Sequence, residues 1–586
     1  MLLVFVLGSL ARELFIGTSA DGTFTFSETP LPNAVVRGHV VDDRQKTGAQ
    51  RLYLSVLSDA GVSLTDPARG YYLGFAEGYL LAASIADHFA NVAATLLGSD
   101  GQWLERHRIF AQESMHQLEK NYHAFQTDPF WVTVYALGHR YVTGLADGYA
   151  AAGFPRREVL EFYLLASLRE LDFSAYETTA IETAIRGTGC FRITDDLSDV
   201  LGGHTTWMSY GYGFDRVLKA INYNFREAST REQLVVFSSQ PGVVGSSDSF
   251  YVTSSTTATA RKRVELVVLD TLYPRDKEAE FSDLGYNGTG VPAWLRGLAS
   301  NLLAIDGTSW AEHFRRNRAE MGYGNWLVMD YARLREVQAF AGSRDSRYSY
   351  ITENEIRLLT SVEAIREHIL VLDATPMLLT NGLYVSINTP LNNVTRAYLN
   401  LTSEMLDADP RYGILLRDGM KVRDSKDMFD LMRHNDYLHD VEANNDPARE
   451  VAARYDLRPN EDGMISEPYG AVDTKVVSLA RMDDTSLWMA VGPTLGTRNS
   501  LPRFKYADWE DVPHHGISTG AWPISPDAFL FGYDSIVESH VRIGPEVVIF
   551  SLIFALGLGG VVVWVVLIYL RSKRQPSIPL GRPRKG

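Results

Sequence analysis

Sulfur chemistry is almost absent from this sequence: one cysteine, Cys190, stands among 586 residues. A single thiol excludes an internal disulfide and a cysteine-rich zinc centre. Also missing are the His-Glu-x-x-His helix of zinc hydrolases and the glycine-rich loops that cradle nucleotide phosphates. No heptad pattern marks a coiled coil. Positive charge is scarce: 56 Lys and Arg face 71 Asp and Glu, and the net charge of −15 argues against nucleic acid as a partner.

What is present fits a large folded core. Ten Trp, 29 Tyr and 26 Phe supply buriable surface that disordered chains do not carry. The length corresponds to roughly three to four domains, although a large single fold is also compatible.

From Val547 to Leu570 the chain runs 24 residues without a charge, enough at ~1.5 Å per helical residue to span a bilayer core. The tail beyond it carries Arg571, Lys573, Arg574, Arg582, Arg584 and Lys585 and no acid, which predicts a cytoplasmic tail. The expectation is a single-pass membrane protein with a lumenal or extracellular ectodomain, endosomal, lysosomal or at the cell surface. Removing those six positive charges from the net −15 leaves −21 on the remainder, which suits an acidic compartment. Asn287, Asn393 and Asn400 begin N-glycosylation triplets and agree with a secretory route. The start, MLLVFVLGSLA, resembles the apolar part of a signal peptide but lacks the basic residue after Met1.

Apolar residues recur at helical spacing from about Gly70 to Leu168, and Phe75–Tyr79 and Leu145–Tyr149 share an acid-Gly-Tyr signature that predicts two packed helices with the same local need. After Cys190 short runs rich in Val, Phe, Tyr and Thr predict strands: Gln233–Ser238, Ser249–Ser255, Arg263–Leu272, Trp326–Tyr331 and Val472–Ser478. Helical patterns interleave at Tyr212–Ile221 and Ala448–Tyr455. The pattern predicts an α+β fold with helices covering sheets.

Cys190 follows Gly187-Thr188-Gly189, and glycine before a thiol leaves an unhindered peptide bond open to an N-to-S acyl shift. A lone cysteine is more often a buried small hydrophobe. Fourteen residues on, His204 follows two glycines, where an imidazole could orient or activate the thiol.

The blocks GTGC ending at Cys190, GGHTTWMSYGYGFDRVLKAINYNF from Gly202 and FSSQPGVVGSSDSFYVTSS from Phe237 resemble the phospholipase B-like (lamina ancestor type) family of N-terminal-nucleophile hydrolases. Further matches follow in family order: GFAEGYL from Gly74, NWLVMDY from Asn325, LMRHNDYLHD from Leu431, VAARYDL from Val451, YGAVDTKV from Tyr469 and GPT at Gly492. The resemblance implies a four-layer αββα fold and self-cleavage between Gly189 and Cys190. The products would be a fragment of 189 residues, less any leader, and one of the remaining 397, which stay associated. In such hydrolases the freed α-amine acts as the general base for its own side chain.

The family blocks also imply supporting roles for His204, for Asn325 at an oxyanion hole, and for Arg433 and Asn435 at an acyl or phosphate oxygen. The residues before Asn325, Gly322-Tyr323-Gly324, depart from the family's Asn-Asn-Gln segment. The cysteine pair that members carry after the His-Asn-Asp block is absent, with 442–447 in its place, and a C-terminal anchor is unlike soluble members. His434, Asp436, His439 and Asp440 read as a solvated turn, so no metal and no cofactor is expected. The expected organisation is a possible signal segment over 1–20, a helical fragment over 21–189, a nucleophile-bearing domain over 190–540, a membrane helix over 547–570 and a basic tail over 571–586. The expected activity is autoprocessed hydrolysis of fatty acyl groups from lipids; an amidase acting on N-acyl amides or ceramide-like lipids, and a catalytically silent glycoprotein, are the alternatives.

Overall fold

The computed structural model describes residues 11–18, 24–57, 63–97, 102–170, 186–273, 290–318, 324–340, 342–365, 368–461, 464–517, 521–522 and 528–532. Two sheets organise these residues. The larger has eleven strands, in the order His368–Asp373, Leu359–Ile365, Gly324–Asp330, Arg263–Leu272, Phe250–Thr257, Thr230–Ser239, Arg216–Asn222, Ala49–Val56, Ala34–Asp42, Ala11–Thr18 and Phe24–Ser27. Its pairings are antiparallel except where Ala49–Val56 meets Arg216–Asn222 in parallel. That junction joins the part of the chain before Cys190 to the part after it. The smaller sheet runs Leu383–Ser386, Arg186–Ile193, Val200–Ser209, Tyr469–Val477, Ser486–Val491 and Phe529–Gly532.

Three contacts set the layering. Helix Asp66–Leu80 lies on one face of the large sheet, with Ala76 and Leu80 against Gly38. On the other face, Leu269 of the large sheet meets Gly189 of the small one. Helix Ser425–Met432 covers the small sheet's far face through Met428 and Met432, which pack on Gly203. The described residues are thus mixed α and β, with two sheets face to face and helices outside.

The glycine signature has a steric cause. Helix Asp66–Leu80 runs beside the helical stretch 129–151, and a Cβ at Gly70, Gly74 or Gly78 would sit 2.2, 2.0 and 2.2 Å from the carbonyl oxygens of Ala136, Tyr141 and Leu145. Gly144 and Gly148 answer from the other helix, with Cβ positions 2.1 Å from the oxygens of Tyr71 and Phe75. Only glycine permits this backbone-to-backbone approach.

Other expectations need adjustment. Residues 216–222 form a strand instead of part of a helix, and 448–454 form turns around the one-turn 3-10 helix Tyr455–Leu457. Residues 11–18, placed in the possible leader, form a strand in which Leu14 and Ile16 are fully buried. The N-terminal part is therefore not only helical.

The C-terminal membrane helix, and with it the single-pass placement, is corrected. Among the described residues no helix is long and apolar enough to cross a membrane. Helix Gln102–Ala124, at 23 residues, has the length but carries Glu105, Arg106, Arg108, Glu113, Glu119 and Lys120. Such charge is incompatible with a hydrocarbon core. Residues 547–570, the basic tail and residues 1–10 lie outside the described residues.

Candidate active site

Cys190 lies in strand Arg186–Ile193, with Val385 opposite it on one side and Gly203 on the other. Its side chain is fully buried and faces the outer helix, with Sγ 3.6 Å from Sδ of Met428 in an apolar cluster that includes Leu383, Val385, Met432 and Val476. Burial pushes its thiol pKa up to about 12. In the intact strand the sulfur is a neutral thiol, the less nucleophilic form.

Side chains alternate along a strand, so Gly189 and Gly187 face the opposite way, into the space between the sheets. His204 is there. Cβ atoms at Gly187 and Gly189 would stand 3.0 Å from its Nε2 and 3.4 Å from its Cδ2. Nε2 lies 3.1 Å from the carbonyl oxygen of Asp270, which fixes the proton on that nitrogen, and Nδ1 is 3.4 Å from the Thr206 hydroxyl. Burial and the nearby Lys475 hold the imidazole pKa well below its ordinary value, so the ring is neutral. His204 therefore flanks the Gly189 side of the peptide bond and not the sulfur, contrary to a direct His204–thiol contact in the intact chain.

Asn325 joins the same inter-sheet space. Its Oδ1 accepts from Ser361 at 2.8 Å, and its Nδ2 donates to Ser386 Oγ at 3.2 Å. Ser386 stands directly opposite Gly189 in the ladder. A hydroxyl, an amide and an imidazole thus gather around one peptide unit.

Sequence reasoning missed the strongest electrostatic feature beside it. Arg216, Asp248, Asp473 and Lys475 are fully buried between the sheets and form a closed set of two cations and two anions. Arg216 donates to Asp248 at 2.7 Å and also pairs with Asp473; Lys475 donates to Asp473 at 2.8 Å and to Thr206 at 2.6 Å, and also pairs with Asp248. Ser238, Ser246 and Thr206 supply further donors to Asp248. The two cations hold Asp248 well below the usual carboxylate range, whereas burial raises Asp473. The four charges balance one another. The local signal was Asp473-Thr474-Lys475, two opposite charges two apart on an otherwise apolar strand. Next to it, Arg169 pairs with Asp270, whose pKa burial raises to about 6. Arg411, also unanticipated, reaches Thr188 Oγ1 at 3.3 Å on the thiol's side of the strand.

The remaining predicted residues lie elsewhere. Asn435 is fully buried and staples the following turn, donating to the carbonyls of Pro447 and Ala452 at 2.9 and 2.8 Å. Arg433 follows helix Ser425–Met432 and donates to the carbonyls of Gly492 and Pro493 at 3.3 and 3.1 Å. His434, Asp440 and Glu450 bring ligand atoms within 4.8 Å of one another, but Arg417 holds both oxygens of Asp440 and His434 Nδ1 is 2.8 Å from Glu450. Ion pairing satisfies this cluster. Asn393 and Asn400 are exposed; Asn287 is outside the described residues.

The family model for Phospholipase B matches residues 36–523, most of the chain and all of the site above. This chain belongs to the phospholipase B family. It is 25% identical over 522 residues to phospholipase B-like protein B of Dictyostelium discoideum, covering 83% of each chain. It is 27% identical over 551 residues to the putative phospholipase B-like 2 of Homo sapiens, covering 87% of each. Phospholipase B-like protein C of Dictyostelium discoideum matches at 27% over 461 residues, 72% of this chain and 75% of that one. The stacked sheets with outer helices fit the N-terminal-nucleophile hydrolase architecture.

Proposed function

We propose that the chain is a lipid acyl hydrolase whose nucleophile is the Cys190 sulfur, released by cleavage of the Gly189–Cys190 bond. Family membership supports the hydrolase class and the lipid substrate. The observation that carries the finer assignment is the convergence of His204, Asn325 and Ser386 on the Gly189 side of that bond. In the processing step Sγ attacks the Gly189 carbonyl carbon, the C–N bond breaks, and the thiol proton passes to the departing nitrogen. Water then hydrolyses the thioester, leaving a Gly189 carboxylate and a free α-amine on Cys190.

In turnover that amine, with an ordinary pKa of ~7.7–8.0, takes the thiol proton. The thiolate adds to the ester carbonyl, the alcohol leaves with a proton, and water hydrolyses the acyl-sulfur bond to free the fatty acid. The neutral thiol of the intact strand fits a precursor that is inactive until cut.

The test is terminal sequencing of protein held at mildly acidic pH. A second fragment beginning at Cys190 is expected, together with fatty acid release from phospholipid. Cys190→Ala is expected to abolish both; normal turnover by that variant would refute the nucleophile, and turnover restricted to N-acyl amides would refute the ester substrate.

A further inference from the structure

On the far side of helix Ser425–Met432 from Cys190 lies a cleft of about 680 Å³, bounded by that helix, by residues 418–423 and by the loop 494–499. The helix separates the two: Met428 and Met432 face the strands, whereas Lys426, Phe429, Asp430 and Arg433 line the cleft. With a helix ~10 Å across, a lipid ester at the thiol and a group in the cleft belong to different molecules.

The charges of the cleft nearly cancel. Lys421 pairs with Asp418 at 2.7 Å, Arg423 with Asp427 at 3.2 Å, Lys426 with Asp430 at 2.5 Å and His434 with Glu450 at 2.8 Å. Arg433 alone of these lining groups makes no ion pair among the described residues. Among the described residues its guanidinium has two backbone carbonyls and the Phe429 ring, 5.8 Å from its carbon, as partners. The carboxylate whose charge acts on it, Asp473, is already shared by Arg216 and Lys475. Arg433 is half-buried, and desolvation pushes its pKa down to about 10 against the pull of Asp473. A half-buried guanidinium with free donors at the wall of a cleft is the side chain best shaped for oxyanions.

We propose that this cleft is a second, non-catalytic lipid site that takes a singly charged phosphodiester headgroup on Arg433, with Phe429, Val422 and Leu495 against the glycerol and first methylenes. The single surplus charge matches a diester better than a doubly charged monoester. The proposal rests on the lipid hydrolase assignment for the identity of the headgroup, but not on Cys190 as nucleophile.

The test titrates glycerophosphocholine into full-length Cys190→Ala protein by calorimetry, so binding is read without turnover and the outcome is independent of the nucleophile. Saturable binding that weakens with added salt is expected, with Arg433→Gln lowering affinity tenfold or more and Arg433→Lys keeping part of it. No binding of glycerophosphocholine, binding that ignores salt, or equal affinity in a folded Arg433→Gln protein would each overturn the proposal. Decanoate binding in place of glycerophosphocholine would also overturn it, assigning the cleft to a fatty acid carboxylate. If Arg433→Gln does not fold, the salt dependence and the Arg433→Lys affinity decide.

Discussion

Replacing Lys475 by Met tests whether the inter-sheet charges act as one unit. Lys475 Nζ lies 2.8 Å from Asp473 Oδ1 and also pairs with Asp248, all three fully buried. At an effective dielectric near 20, one contact at that distance has a Coulomb energy of about 6 kcal/mol. Two such contacts are offset by the cost of stripping water from the ammonium, several kcal/mol, and Met recovers part of the packing. The variant still leaves two carboxylates on Arg216 alone, one negative charge in excess. A loss of about 3–5 kcal/mol follows. Adding Asp473→Asn to Lys475→Met removes the excess charge, so the double variant should lose less than the sum of the singles. Urea unfolding of the two singles and the double measures this coupling directly. A Lys475→Met loss below about 1 kcal/mol, or additive losses, would show that the four groups do not form a balanced network.

Gly74→Ala places a methyl 2.0 Å from the Tyr141 carbonyl oxygen; the better helix propensity of Ala, worth about 1 kcal/mol, is outweighed by overpacking, and the net loss should be about 2 kcal/mol or more. A melting temperature at or above that of the unmodified protein would disprove the close helix contact. Asp270 has its folded pKa raised to about 6, above an unfolded value of ~3.9, so its contribution favours folding at acid pH and is lost as pH rises from about 4 to about 6. The rise to about 6 sets a ceiling of about 3 kcal/mol on that loss; Asp270→Asn should flatten this part of the stability–pH curve, and an unchanged slope would contradict the assignment.

How far the sequence spoke depended on whether a signal was local. The helix pair was legible because glycines at four-residue spacing recur in both partners, and Arg263–Leu272 was legible from its Val and Leu content. Residues 216–222 misled because every position up to Ile221 is buried, so no polar alternation marks a strand. Val217, Leu218, Ala220 and Ile221 then mimic a helix stripe, while Arg216 and Lys219 vanish into buried pairs with Asp248, Asp473 and Glu77. The turn at 448–454 was hidden because a distant side chain, Asn435, imposes it. The charged network was hidden for the same reason: its four members come from two strands and a loop that are far apart in the chain.

The family blocks pointed to Cys190 and His204 as neighbours, and strand alternation explains both how they are close and why they do not touch. His204 stands opposite Gly189, and Cys190 opposite Gly203, so the imidazole and the thiol emerge on opposite faces. The two halves of strand Arg186–Ile193 are also held unequally. Beyond Cys190, Phe191 and Ile193 are buried and Arg192 bonds the Gly382 carbonyl at 3.1 Å, which fixes that half in the sheet. Before it, Gly187 and Gly189 bring no side chains and Thr188 has the Arg411 contact as its side-chain tie. A cut at Gly189–Cys190 would therefore free the half that hydrophobic burial holds least, while the sulfur stays in place.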